Sequence, residues 1–139
     1  MNRIEIPLND LKIEAMEYLN NCLLVTSGIN EEGKFNSMTV NWGFVGTIWF
    51  KPSILLVIRP SRYTWEFIKD HNDFTVSSFS KDYQDILNML GTKSGRNTAK
   101  MKESGLIPID SMVVKSPSFE QASLTLECRK WYVGDIEKE

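Results

Sequence analysis

Apolar and polar positions alternate along short stretches of this chain, and that period predicts strands. Residues 22–29 are rich in β-formers, Asn30-Glu31-Glu32-Gly33-Lys34 has the composition of a turn, and residues 35–42 pair back as a second strand. Residues 53–59 read as a buried strand and residues 74–79 as another. Late runs at 111–115 and 122–132 alternate like antiparallel strands. Helical spacing appears elsewhere. Residues 10–19 place Leu11, Ala15, Tyr18 and Leu19 near one face, and residues 65–70 continue a helix-like run. Residues 81–90 set Tyr83, Ile86, Leu87 and Leu90 at helical spacing, with Gly91 as a stop, and residues 97–104 predict a short helix ended by Gly105. Strands with helices placed between some of them predict an antiparallel sheet or barrel covered by helices. No glycine-rich turn follows an early strand, so the dinucleotide fingerprint and the P-loop are both absent.

The chain has 139 residues, enough for a single domain over residues 1–139 with a sizeable core. A formal net charge of −2 gives no reason to expect a nucleic-acid or membrane-surface binder. The polar start and the lack of a long apolar span make a cytoplasmic location the expectation. Cys22 and Cys128 lie in apolar runs and read as small buried hydrophobes. One histidine, His71, falls at a predicted helix C-terminus, and no cluster of ligands has metal spacing.

Candidate chemistry gathers at the strand-to-helix junction Arg59-Pro60-Ser61-Arg62-Tyr63-Thr64. Free N–H groups at a helix start, with arginine forks beside them, make an anion cradle suited to phosphate. Helix capping by Ser61 or Thr64 explains the same residues more simply. In Asn36-Ser37-Met38-Thr39-Val40-Asn41-Trp42 the strand period sends Met38, Val40 and Trp42 one way and Ser37, Thr39 and Asn41 the other. The short polar face could line a site for a flat ring, or simply face water. Gly91-Thr92-Lys93-Ser94-Gly95-Arg96-Asn97, followed by Lys100, is a second cationic helix entry able to donate to a phosphate.

These segments, with Gly46-Thr47-Ile48-Trp49, Phe74-Thr75-Val76-Ser77-Ser78-Phe79 and Leu126-Glu127-Cys128-Arg129-Lys130, resemble the flavin reductase-like family of FMN-binding split barrels, which includes flavoredoxins. The resemblance implies a mainly β fold with covering helices, a six-stranded antiparallel split β-barrel. It implies a homodimer with FMN near the subunit interface. Asn36, Met38, Thr39, Asn41 and Trp42 would border the isoalloxazine and ribityl chain, with Ser37 and Val40 in the same strand. Ser61, Arg62, Thr64 and Lys100 would hold the phosphate, with Arg59, Tyr63, Ser94 and Arg96 beside them. It further implies an oxidoreductase in which NAD(P)H gives a hydride to flavin N5 and the flavin passes electrons to an acceptor, the protein supplying no catalytic side chain. The alternative is an FMN-holding electron carrier reduced by a partner protein. A barrel acting only through protein contacts is a third reading. In the family an intervening segment and a histidine-bearing closing strand follow the Leu126–Lys130 block. Here Trp131-Tyr132-Val133-Gly134-Asp135-Ile136 follows Lys130 directly.

Overall fold

A computed structural model describes residues 2–136; the ends of the predicted domain, residue 1 and residues 137–139, lie outside it. Strands β1 (Leu23–Ile29) and β2 (Lys34–Val40) form the predicted hairpin, joined by a single helical turn at Glu31–Gly33. Their antiparallel register sets Leu23 opposite Val40 and Thr26 opposite Ser37. β3 (Gly43–Ile48) and β4 (Lys51–Leu56) form a separate hairpin, followed by helix α2 (Tyr63–Asp70) and strand β5 (Asp73–Ser78). Helix α1 (Ala15–Asn20) precedes β1; α3 (Gln84–Thr92) and α4 (Lys100–Glu103) follow β5. The short pair β6 (Pro108–Ile109) and β7 (Ser118–Phe119) leads to β8 (Leu124–Arg129).

The main sheet has the order β2-β1-β5-β8, and all its pairs are antiparallel. β1 lies inside it and is covered on both faces: Leu23, Leu24 and Val25 are all wholly buried. Strand alternation divides them between two cores. Leu23 and Val25 pack with Tyr18, Met38, Val40, Ile68 and Val76 beneath α2. Leu24 packs with Leu87, Leu90, Leu106 and Phe119 beneath α3. The sheet is thus held between helices, which places the end of α3 and the start of α2 on either side of β2.

Several expectations are corrected. The described residues form eight strands in three antiparallel sheets, six of the strands six or seven residues long and two of only two residues, and no single hydrogen-bonded ladder joins the three sheets. The β3–β4 hairpin covers the first core with Val45, Ile54 and Leu56 but is not laddered into the main sheet. The run 35–42 stops at Val40, and a new strand starts at Gly43. Residues 111–115 form no strand, because the Glu127 carboxylate accepts the Met112 and Val113 N–H groups at 2.8 and 2.6 Å and Asp73 accepts that of Lys115 at 3.0 Å. Side chains there take the place of a neighbouring strand. Helix α1 begins at Ala15, later than expected, and Gly91 lies within α3 rather than ending it. Cys22 and Cys128 are free and half-buried. Burial pushes the Cys22 thiol up, and burial and then Glu127 raise that of Cys128 to about 12. Neither carries thiolate at neutral pH.

Candidate functional site

Two helix ends with opposite polarity meet beside β2. The first is the start of α2, reached through Arg59–Arg62 from β4, which spans Lys51–Leu56 with no buried residue instead of forming the buried strand expected over 53–59. Arg62 is its N-cap in extended conformation, and no side chain caps the helix, which sets aside the capping role for Ser61 and Thr64. The Trp65 N–H bonds the Arg62 carbonyl at 3.0 Å, whereas the N–H groups of Tyr63 and Thr64 have no partner among the described residues. Such N–H groups at the positive end of a helix await an acceptor. Thr64 is 1% exposed, and its hydroxyl oxygen accepts from Asn36 Nδ2 at 2.8 Å. Asn36 thereby leaves the Thr64 hydroxyl proton free to donate.

The second is the C-terminal turn of α3, whose last carbonyls carry partial negative charge. Arg62 Nη2 donates to the Gly91 carbonyl at 3.1 Å, and Lys100 Nζ donates to the adjacent Leu90 carbonyl at 2.9 Å. One helix end therefore holds both cations. Gly91 lets this end of α3 lie close against β2, because a Cβ there would lie 2.4 Å from Thr39 Oγ1. Gly95 does the same for the following loop, where a Cβ would lie 2.3 Å from Asn36 Oδ1.

Between the two helix ends is a cavity of about 110 Å³. Asn36 and Met38 from β2 line it, as do Ser61, Arg62, Tyr63 and Thr64 from the α2 entry, Thr92, Lys93 and Ser94 from the end of α3, and Lys100. Lys100 is 2% exposed, and no carboxylate among the described residues pairs with it or with Arg62. Burial and then the Arg62 charge lower the Lys100 ammonium to about 8. A buried cation facing another cation is costly unless an anion joins them. The donor set of hydroxyls, free N–H groups, guanidinium and ammonium matches a phosphate dianion.

The structure brings together Asn36, Met38, Ser61, Arg62, Tyr63, Thr64, Ser94 and Lys100 from the sequence-predicted set. Others lie elsewhere. Ser37 is wholly buried and its hydroxyl lies 2.7 Å from that of Thr26, so it is used within the sheet. Val40 belongs to the first core, and Thr39 packs against α3. The pocket is lined from the Asn36–Met38 face of β2, not from the Ser37–Thr39–Asn41 face. Arg59 lies over the Trp42 ring at 5.5 Å, beyond the end of β2. Asn41 is exposed there, and Trp42 is 57% exposed. Arg96 pairs with Glu66 at 2.8 Å and lies over the Tyr63 ring, pinning the 92–99 loop to α2. His71 sits at the α2 C-terminus as expected, its Nδ1 2.8 Å from the Phe67 carbonyl. Thr92 and Lys93, part of the second cationic entry read from the sequence, also line the cavity; what sequence reasoning missed is the pair of α3 carbonyls that orient both cations. The only signal for those was a glycine at the end of an amphipathic run.

A family model described as the flavin reductase like domain matches residues 16–136, nearly all of the chain. The chain belongs to the flavin reductase-like family. An uncharacterized protein of Archaeoglobus fulgidus is 33% identical over 120 residues, covering 84% of this chain and 65% of its own length. The chain therefore spans just under two thirds of that relative. Among solved structures, the flavoredoxin of Desulfovibrio vulgaris superposes with a TM-score of 0.73 at 23% identity, over 96% of this chain and 69% of the other. An FMN-binding protein from Thermus thermophilus, solved with bound 1-cyclohex-2-enone, gives 0.71 at 20% identity, over 98% and 71%. These likenesses establish the fold, that of a flavin reductase-like domain. No described helix is long and apolar enough to cross a membrane, and no group of metal-ligating side chains occurs among the described residues.

Proposed function

We propose that this protein is an FMN-binding flavoprotein of the oxidoreductase type, with the cofactor's phosphate in the cavity between α2 and α3. The observation that carries the reading is the Lys100–Arg62 pair, two cations held by neighbouring carbonyls with no carboxylate among the described residues to balance them. A phosphate completes that arrangement, and membership of the family makes FMN the flavin that brings one. Arg62 and Lys100 would neutralise the phosphate, Thr64 and Ser61 would donate hydroxyl hydrogen bonds, and the free N–H groups of Tyr63 and Thr64 would complete the cradle. FMN held there would supply the redox chemistry, with NAD(P)H or a partner protein as the source of its electrons. The side chains anchor it and exclude water from its phosphate. Asn36 holds the Thr64 hydroxyl, and Arg96 fixes the loop that carries Ser94.

The visible spectrum of the purified protein tests the cofactor, since retained flavin gives two absorption bands and a colourless protein that ignores added FMN refutes the reading. Arg62→Ala should lose about 1.5–3 kcal/mol of FMN binding, the range for hydrogen bonds to charged groups. The exposed Arg129→Ala, at the end of β8, should lose none. Anaerobic mixing with NADH and with NADPH separates the reductase from the carrier: bleaching at turnover rates marks the enzyme, and its absence marks the carrier.

The β3–β4 hairpin supports a homodimer. Phe44 and Leu55 face each other on its outer side, and Phe44 is 72% exposed. Trp49 and Phe50 at its tip are 82% and 100% exposed. Apolar surface of that kind marks an interface, and a second copy of the chain is the partner this reading assigns.

A further inference from the structure

The segment 92–99 is the partition between two cavities. Thr92, Lys93 and Ser94 line the anion pocket, and Gly95, Thr98 and Ala99 line a neighbouring cavity of about 540 Å³. The partition is built around its own turn. The Ser94 carbonyl accepts the N–H groups of Asn97 and Thr98 at 3.2 and 3.1 Å and the Thr98 hydroxyl at 3.0 Å. The Ser94 hydroxyl accepts the Arg96 N–H at 3.2 Å, which leaves its own proton to donate. A segment bonded in this way moves as one piece.

Its ties to the rest of the chain are of a different kind. Gly95 rests on Asn36 and Tyr63, where a Cβ would lie 2.3 Å from Asn36 Oδ1 and 3.2 Å from the Tyr63 ring. Arg96 reaches across to α2, pairs with Glu66 at 2.8 Å and lies 4.9 Å from the centre of the Tyr63 ring. Lys93 pairs with Glu103 at 2.8 Å. All four charged side chains are about half exposed, and ion pairs of that kind hold weakly. Weak ties on a preformed segment suit a closure that has to reopen. Neither Glu66 nor Arg96 lines the anion pocket, so they act on a bound anion through the loop.

We propose that residues 92–99 are a lid on the anion pocket, latched by Arg96 to Glu66 and Tyr63, and that the latch sets how fast the anion enters and leaves. The inference rests on the phosphate reading above and goes beyond it, making Glu66 and Arg96 positioning residues of the site. A latch differs in sign from a simple effect of charge. Glu66 lies in the first turn of α2, near the cradle. If charge alone counted, Glu66→Gln would remove a repulsive carboxylate and slow release, and Arg96→Gln would speed it. With a latch, loss of either partner speeds entry and release alike.

Stopped-flow mixing of the flavin-free full chain with FMN gives both rates, and amide relaxation by NMR in the flavin-free protein reads the loop itself. Glu66→Gln should raise entry and release about threefold or more, and Arg96→Gln should raise release further, since it gives up the ring contact as well as the pair. Arg96→Lys keeps the pair and should stay within about twofold of wild type. In both Gln variants the 92–99 amides should become more mobile while those of α2 and α3 stay as they are, which certifies the fold. Unchanged or slower release from Glu66→Gln overturns the latch. Unchanged relaxation of 92–99 in both variants overturns the lid. If wild type binds inorganic phosphate but no FMN, the flavin reading fails by itself, and phosphorus NMR line widths of phosphate supply the same rates. Binding of neither removes the anion site and its lid together.

Discussion

At the scale of single residues, Lys100 links the fold to the ligand. Its ammonium titrates at about 8 instead of the ordinary 10.5, because burial and Arg62 both disfavour the charge. Between those pH values the unfolded chain binds the more protons, so stability of the flavin-free protein rises as pH climbs through that window. Phosphate affinity has the opposite slope, since the site loses its charge as Lys100 deprotonates. Thermal melts of flavin-free protein should rise from pH 8 toward 10, while FMN dissociation constants measured over the same range increase. Lys100→Met should flatten both curves, and parallel slopes would show that Lys100 does not face the phosphate. Gly91 makes a second case. Gly91→Ala puts a methyl 2.4 Å from Thr39 Oγ1, and overpacking of this kind costs about 1–3 kcal/mol. It should also weaken FMN, because the Gly91 and Leu90 carbonyls hold the two cations. Thr39→Ala in the same chain removes the obstructing hydroxyl, so a double-mutant cycle should show marked non-additivity in both melting temperature and affinity.

Among the elements, those with strong periodicity were legible and those held by distant partners were not. β1, β2, β5 and the body of α3 follow from alternation or helical spacing, because each buries a face against a core. The free N–H groups at the α2 entry were legible for a related reason: a strand-to-helix junction leaves them whatever surrounds it. The run 111–115 reads locally as a strand, yet the Glu127 and Asp73 carboxylates satisfy its backbone from far along the chain. No local pattern reports a partner of that kind. The β3–β4 turn was hidden differently. Trp49 and Phe50 stand at φ 53° and 61°, left-handed positions that hairpins normally give to Asn and Gly. Bulky residues there cost roughly 1–3 kcal/mol each, which suggests that the aromatics are kept for what they contact. Replacing Trp49-Phe50 by Asn-Gly should raise the melting temperature of the isolated subunit and weaken self-association. A variant with unchanged association would remove the hairpin tip from the interface.

At the scale of the whole molecule, the fold leaves an exposed apolar surface on the β3–β4 hairpin and the segment after β8. The outer side of the β3–β4 hairpin carries Phe44, and the segment after β8 carries Trp131, Tyr132, Val133 and Ile136, all more than half exposed. Lys51 of the hairpin lies 5.6 Å from the centre of the Trp131 ring, so the two segments adjoin. Water contact with that many aromatics is unfavourable by roughly 25 cal/mol per Å² of apolar area, and association of two copies through this face would remove it. The anion cavity needs no second copy to form, because β2, the entry and start of α2, the end of α3 with the residues after it, and Lys100 of α4 in one chain supply the lining. The phosphate and the dimer are therefore separable in experiment. Phe44→Glu should shift light scattering from dimer to monomer at micromolar concentration while leaving inorganic phosphate binding intact. If FMN affinity falls in that monomer as phosphate affinity holds, the partner subunit contributes to the ring rather than to its anchor. If wild type itself scatters as a monomer at that concentration, the apolar face has another use and the homodimer is wrong.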